Sequence, residues 1–314
     1  MEASPNNRQL PVNIRRKAYG KLQVLYTNAD GIAGKHDQLR EIAHSLGSDI
    51  IAISETKLKE NINNATVFPS GFNIIRRDRT GRGGGGIALL VNNSLGVEEV
   101  SIRVESGFQE HLTVKVVTEE INILVALIYN PPRGNGKSEL YNINNQGTIE
   151  VVNRVSQIAV NKGYRLLILG DFNHKDIDWQ ELNPHGDRGT WRAKFMNCIQ
   201  GNYLHQHIRE PTRSRGNDTP STLDLIFTQS ALDIENLEYR APLGKSDHCV
   251  LSMDFVVEDI LPKKVVKKNE TRFNYPKGDY QGLKEFYSNV EWNIPSDSTT
   301  TLEVNEVYNH SYRS

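Results

Sequence analysis

Leu166-Leu167-Ile168-Leu169-Gly170-Asp171-Phe172-Asn173 decides how the rest of this chain is read. Four large aliphatics in a row make a run too short for a helix and suited to a strand buried on both faces. Gly170 then lets the backbone turn, and a period of two puts Asp171 and Asn173 on one side of the extended chain. A carboxylate at the mouth of a buried strand is costly unless it is paired, hydrogen-bonded or bound to a metal. An Asx turn capping the strand explains an isolated G-D-x-N about as well as a functional role does. Four further strand ends carry a similar arrangement, and that recurrence favours a shared site.

Working outward, Thr148 to Asn161 places Ile149, Val152, Val155, Ile158 and Ala159 on one helical face just before this strand. The same order opens the chain: a strand at Leu22 to Thr27, a helix at Lys35 to Leu46 and a buried strand at Asp49 to Ser54. Each strand-helix-strand unit implies a crossover packed on a sheet. Between them, Phe72 to Ile75, Ile87 to Val91, Val97 to Val104, His111 to Val117 and Ile121 to Ile128 read as meandering antiparallel strands. A Pro-, Gly- and Asn-rich loop is expected from Tyr129 to about Gln146, and a third helix from Thr190 to Ile199. Strands at Leu223 to Thr228, Ile234 to Arg240 and Cys249 to Val257 complete the pattern. The expected fold is α/β: a four-layer sandwich of two mixed β-sheets packed face to face, with helices on the outer faces. Residues 1–20 read as a flexible tail, 21–258 as the folded body and 259–314 as a linker-like tail with room for one short helix, Tyr280 to Ser288.

Composition narrows the function classes. The chain has 314 residues with 37% hydrophobic content, enough for one large core. Lys+Arg 37 against Asp+Glu 38 leaves no global basic field, which counts mildly against nucleic acid as a partner. Cys198 and Cys249 cannot form a disulfide framework. No apolar run approaches the ~20 residues of a membrane span and no signal peptide is evident, so an intracellular protein without a membrane partner is expected. Gly136-Lys137-Ser138 and Gly244-Lys245-Ser246 lack the upstream glycine of a P-loop, so no nucleotide cofactor is expected.

The polar groups at the strand ends are Asn28 and Asp30, Glu55, Asp171 and Asn173, Asp224, and Asp247 with His248. Singly, each is explained by a cap, a turn or a satisfied core histidine. Together they place acids, amides and one imidazole where several strands can meet at one edge. Carboxylates and amides without a Cys or His cluster suit a hard cation, Mg²⁺ or Mn²⁺, rather than zinc. A second carboxylate could then deprotonate or orient a water, and a histidine could stabilise charge on a phosphate or protonate the leaving oxygen. Metal-assisted phosphoester hydrolysis is the reaction class these residues define.

N-A-D-G after a strand, Glu55 after D-I-I-A-I-S, then Y-N-P-P, L-G-D-F-N, S-T-L-D-L-I-F and K-S-D-H resemble the successive motifs of the endonuclease/exonuclease/phosphatase superfamily. They span about Leu22 to Phe255. G-D-F-N-H-K-D-I-D-W, R-E-P-T-R and L-G-K-S-D-H are similar to the apurinic-type endonuclease domain of non-LTR (LINE, jockey-like) retrotransposons. The resemblance makes 21–258 the superfamily domain and 259–314 the segment that precedes a reverse transcriptase absent here.

It implies that Glu55 is the main metal carboxylate, with Asn28 and Asp30 near the metal and Asp247 at a second position. It further implies that Asp171 activates or orients the water, Asn173 holds that water or the phosphate, and Tyr129 donates its phenol to the phosphate. His248 contacts the scissile phosphate, oriented by Asp224. DNA is then the expected partner, the nucleus the expected location and a monomer the expected state. Arg76, Arg77, Arg79 and Arg82, around the turn Gly83 to Gly86, and Arg213 and Arg215, in a loop that varies in the family, are candidate DNA contacts. A small-molecule phosphatase and a catalytically silent nucleic-acid-binding remnant are the alternative readings.

Overall fold

Each buried strand has two apolar faces, and each face meets a different layer. The computed structural model describes residues 20–80, 83–118, 121–132, 138–175, 177, 179, 189–257 and 279–289. In order these form β1 (Lys21–Asn28), α1 (His36–Leu46), β2 (Ile50–Ser54), a short helix α2 (Asn64–Val67), β3 (Phe72–Arg77), β4 (Ile87–Asn92) and β5 (Gly96–Glu99). There follow β6 (His111–Val117), β7 (Asn122–Tyr129), α3 (Ser138–Lys162), β8 (Arg165–Asp171), α4 (Trp191–Gly201), β9 (His205–Gln206), β10 (Asp224–Thr228), β11 (Ile234–Arg240) and β12 (Val250–Val256). Contacts divide the chain into Met1–Ile260 and Leu261–Ser314. The described part of the second unit holds one helix, α5 (Tyr280–Asn289), with no buried residue. The basic stretch Lys263 to Lys268 lies outside the described residues.

One sheet runs β11-β12-β1-β2-β4-β3 and the other β5-β6-β7-β8-β10-β9. The pairs β1/β2 and β7/β8 are parallel, joined over α1 and α3, and their neighbours are antiparallel. Alternation sorts the side chains as a period of two requires. Leu22, Val24, Tyr26, Ile50, Ala52, Ile123, Val125, Leu127, Leu167 and Leu169 fill the space between the sheets. The residues that alternate with them face outward. Leu25, Ile51 and Ile53 meet Leu39 and Ala43 of α1, while Leu124, Ala126, Leu166 and Ile168 meet Val152 and Val155 of α3 and Phe195 of α4. The four-layer α/β sandwich is the observed architecture.

Three local expectations need correction. Gly170 does not turn the chain: it lies within β8, opposite Ile128, and a Cβ there would overlap the Ile128 carbonyl oxygen. Close approach of two strand backbones is what requires glycine. The loop expected up to Gln146 is shorter, because α3 begins at Ser138. Its first turns are rich in Asn and contain Gly147, poor helix formers, but Gly147 is where α3 presses on Phe108 and a Cβ would collide with that ring's stem. The strand expected from Val97 to Val104 ends as a ladder at Glu99. Val100 donates one further backbone bond to the Thr113 carbonyl at 2.8 Å, and Val100, Ile102 and Val104 keep their alternation by packing onto the outer core beneath α3.

Two buried histidines make the fold acid-sensitive. Burial, then Arg77, pushes His111 down to about 4, and burial, then His205 and Arg209, pushes His207 down to about 3. Above the ordinary value of 6.5 both states are neutral and neither residue contributes a pH dependence. Below it the unfolded chain takes up protons that the folded chain refuses, so stability falls until the folded pKa is reached. The drop in thermal midpoint between about pH 7 and about pH 4.5 is therefore expected to be smaller in His111→Asn and His207→Asn than in the parent. Equal drops in all three, measured by differential scanning fluorimetry, would refute this.

Candidate active site

The inward alternation continues past the apolar core to one open edge of the sandwich. There Asn28 follows Tyr26 on β1, Tyr129 follows Leu127 on β7, Asp171 follows Leu169 on β8, and Asp224 precedes Ile226 on β10. The carboxyl ends of the two parallel pairs coincide with the amino ends of β10 and β12, the usual place for a site in an α/β sheet.

Two carboxylates from opposite sheets are joined through one amide. Asn28 Nδ2 donates to Glu55 Oε1 at 3.2 Å and to Asp171 Oδ2 at 2.9 Å. Asn28 Oδ1 accepts the Asp30 backbone N–H at 3.0 Å. Asp171 also accepts the Asn173 N–H on Oδ1 at 3.1 Å, so an Asx turn and a place in the site coexist in one residue. Asn173 Nδ2 donates to the Asn130 carbonyl at 3.0 Å. Tyr129 Oη donates to Glu55 Oε1 at 2.8 Å, and burial, then Glu55, holds its phenol well above its ordinary range. Here the tyrosine serves a carboxylate.

The histidine is built with equal care. His248 Nδ1 lies 2.6 Å from Asp224 Oδ2, and Asp224 Oδ1 accepts the Tyr26 phenol at 2.7 Å. Ser246 Oγ donates to the Asn28 carbonyl at 2.8 Å and accepts the His248 backbone N–H at 3.2 Å, tying the His248 backbone to that of Asn28. Thr212 Oγ1 accepts the Asp224 N–H at 3.0 Å. Burial alone would depress His248, but the Asp224 charge and hydrogen bond outweigh it and raise the imidazole to about 9. Burial first, then the Asp224 charge, pushes the Asp171 carboxyl up to about 8. Asp171, Asp224 and His248 offer ligand atoms within 4.8 Å of one another. Asp224 spends both oxygens on Tyr26 and His248, which makes the trio a charge-coupled hydrogen-bonded group rather than an open set of ligands. Glu55, whose side chain is 20% exposed, is the better-placed carboxylate for a cation.

The other candidates divide. Asp30 is paired with Lys57, whose Nζ also lies 3.5 Å from Glu55 Oε2. Asp247 accepts Arg213 Nε at 2.9 Å. Arg76 points inward to the carbonyls of Lys59 and Glu60 and to Asp78, and Arg79 pairs with Glu110. Arg77 donates to the His111 carbonyl and stays partly exposed, Arg215 is exposed, and Arg82 lies outside the described residues. A cavity of about 490 Å³ opens beside Arg79, Glu110 and Asn144 rather than over Asp171. Tyr26, Lys57, Thr212 and Ser246 escaped the sequence reading. Tyr26 carried a signal in its even spacing from Asn28, and Thr212 and Ser246 stood unremarked inside R-E-P-T-R and K-S-D-H.

The backbone is strained here. Among the described residues the non-glycine positions with positive φ are Asp30, Glu55, Lys57, Asn173, Tyr203 and Asn236. Four of these lie at this edge, as expected where a site holds its geometry against local preference.

A family model described as endonuclease-reverse transcriptase matches residues 123–252, which include Tyr129, Asp171, Asn173, Asp224, Asp247 and His248. No curated protein matches the sequence. Among solved structures, the endonuclease domain of TRAS1, a telomere-specific non-LTR retrotransposon, aligns at 19% identity and TM-score 0.54, over 76% of this chain and 100% of that one. A 3′ phosphatase from Neisseria bound to product DNA hairpin aligns at 13% and 0.59, over 74% and 99%. An AP endonuclease from Archaeoglobus fulgidus aligns at 17% and 0.56, over 75% and 100%. The fold is the α/β sandwich these three nuclease and phosphatase structures share. Within it the chain resembles retrotransposon endonucleases, on the family model and the TRAS1 domain together.

Proposed function

We propose that this chain is a divalent-metal-dependent endonuclease that hydrolyses phosphodiester bonds in DNA and nicks target DNA for retrotransposon integration. The observation that supports this most is the continuous path Glu55–Asn28–Asp171, beside Asp224–His248, at one mouth of the sandwich.

The donor set fits a hard cation: oxygen ligands, no thiolate, and one partly exposed carboxylate beside an amide and a second acid. Glu55 would hold Mg²⁺, or Mn²⁺, with Asn28 and Asp30 alongside. A bound ion would supply positive charge beside Asp171 and polarise a phosphoryl oxygen. Asp171, oriented by Asn28 and the Asn173 N–H, takes a proton from the attacking water as its oxygen bonds to phosphorus. Burial and the Asp224 charge raise the Asp171 carboxyl above the ordinary aspartate range, so once ionised beside the cation it is a stronger base than a solvated aspartate. His248, held cationic by Asp224, neutralises charge on the phosphoryl oxygens as the phosphorus–oxygen bond to the leaving group breaks. Arg77, Arg213 and Arg215 supply backbone contacts to the DNA.

Supercoiled plasmid incubated with Mg²⁺ is expected to convert to the nicked circle, chelator to stop it, and Glu55→Gln to reduce it by roughly 10²-fold or more. Undiminished nicking in chelator would end the metal reading. Release of phosphate from 3′-phosphorylated ends without nicking would favour the phosphatase alternative, which the fold shared with the Neisseria enzyme keeps in view.

A further inference from the structure

Glu55 sits in the left-handed region, φ 50°, with Lys57 two residues on at 52°. A carboxylate on such a backbone keeps its aim only if its surroundings hold it, and the holders lie in another sheet and another turn. The Thr56 and Lys57 N–H groups donate to the carbonyls of Gly86 and Gly85 at 3.0 and 2.8 Å. The glycine run is therefore a packed clamp, not a slack turn. A Cβ on Gly86 would stand 2.6 Å from Thr56 Oγ1, and one on Gly85 would overlap the Arg79 guanidinium.

Glu110 closes the clamp. Its Oε2 accepts the Gly86 N–H at 3.1 Å, and its Oε1 accepts Arg79 Nε. Its backbone carbonyl accepts the Tyr129 N–H at 2.9 Å. The Arg79 guanidinium stands 5.6 Å from the Tyr129 ring centroid, and the Tyr129 phenol donates to Glu55. Both charged side chains are largely buried, Arg79 13% and Glu110 11% exposed. A buried pair of this kind contributes little net stability compared with apolar packing, so what it bears on Glu55 is position rather than energy.

We infer that Glu110 and Arg79 are positioning residues for the proposed metal carboxylate: one buried ion pair fixes Glu55 from both sides, through the Gly85–Gly86 clamp on its backbone and through Tyr129 on its side chain. This rests on the metal reading of Glu55. Groups behind a metal ligand typically change affinity 10- to 100-fold when altered, and that is the effect this pair is built to exert.

The test is Mn²⁺ binding to the purified chain, read from the free-ion electron paramagnetic resonance signal, without substrate. Glu110→Gln is expected to weaken Mn²⁺ binding by roughly tenfold or more. Glu110→Asp, which keeps the charge but cannot span Arg79 and the Gly86 N–H, should do the same and covers the case in which the glutamine variant fails to fold. Val155→Ala, in the outer core beneath α3, serves as a stability control and should bind Mn²⁺ as the parent does. Affinity within about twofold of the parent in the folded Glu110 variants, or an equal loss in Val155→Ala, would overturn the inference. Glu55→Gln separates the two levels. Loss of Mn²⁺ there with normal binding in the Glu110 variants sinks only this inference, whereas unchanged binding in Glu55→Gln sinks the metal reading itself.

Discussion

Asp224→Asn is expected to lower nicking at about pH 7.5 by roughly 10²- to 10⁴-fold while leaving the fold intact. Asp224 is buried and spends one oxygen on the Tyr26 phenol and the other on His248 Nδ1. The amide keeps the shape but removes the charge that holds His248 up at about 9. With that charge gone, burial pulls the imidazole down while Asp171 and Asp247 still hold it up, so it loses its proton at a lower pH than in the parent. Two results should follow. The alkaline limb of the nicking profile, near pH 9 in the parent on the His248 value, should move down in the variant, and the His248 ring resonances should titrate at the lower pH. Asp224→Asn combined with His248→Ala should be little worse than His248→Ala alone, because residues acting as a unit do not add. Additive losses would show that Asp224 does something other than charge and orient His248.

How far the sequence carried this site depends on the physics of each residue. Period-two alternation is strict in strands, so Leu167, Leu169 and Asp171 could be placed on one face, and the same rule governed Leu22 to Asn28. Helical periodicity located α1 and the second half of α3, but α3's Asn-rich start looked like loop because local propensity disfavours a helix that tertiary packing against Phe108 enforces. Charge partners were less legible. Whether Arg79 reaches DNA or Glu110 depends on how β3 and β6, from different sheets, meet across the sandwich, and no local pattern encodes that. The acids were visible as a set; Tyr26, Ser246 and Thr212, which hold them, were not, since a hydroxyl in a strand or turn has many duller uses.

Asp171→Asn should abolish detectable nicking, a loss of roughly 10³-fold or more, and yet raise the stability of the ion-free protein at alkaline pH. The two effects have one cause. Burial and the Asp224 charge lift the Asp171 carboxyl from 3.8 to about 8 in the folded chain. In the unfolded chain it ionises near its ordinary value, so between those limits the unfolded state holds fewer protons and stability falls as pH rises. Asparagine carries no such penalty, although its NH₂ must face the N–H of either Asn28 or Asn173, a cost that does not vary with pH. The difference in thermal midpoint, variant minus parent, measured in chelator, should therefore grow from about pH 5 to about pH 8. A pH-independent difference would mean that Asp171 is already ionised in the folded protein without a cation. A penalty of this kind is what a general base at a buried edge requires. In the proposed mechanism, the group that destabilises the resting fold by being hard to ionise is, once ionised, the stronger base toward water.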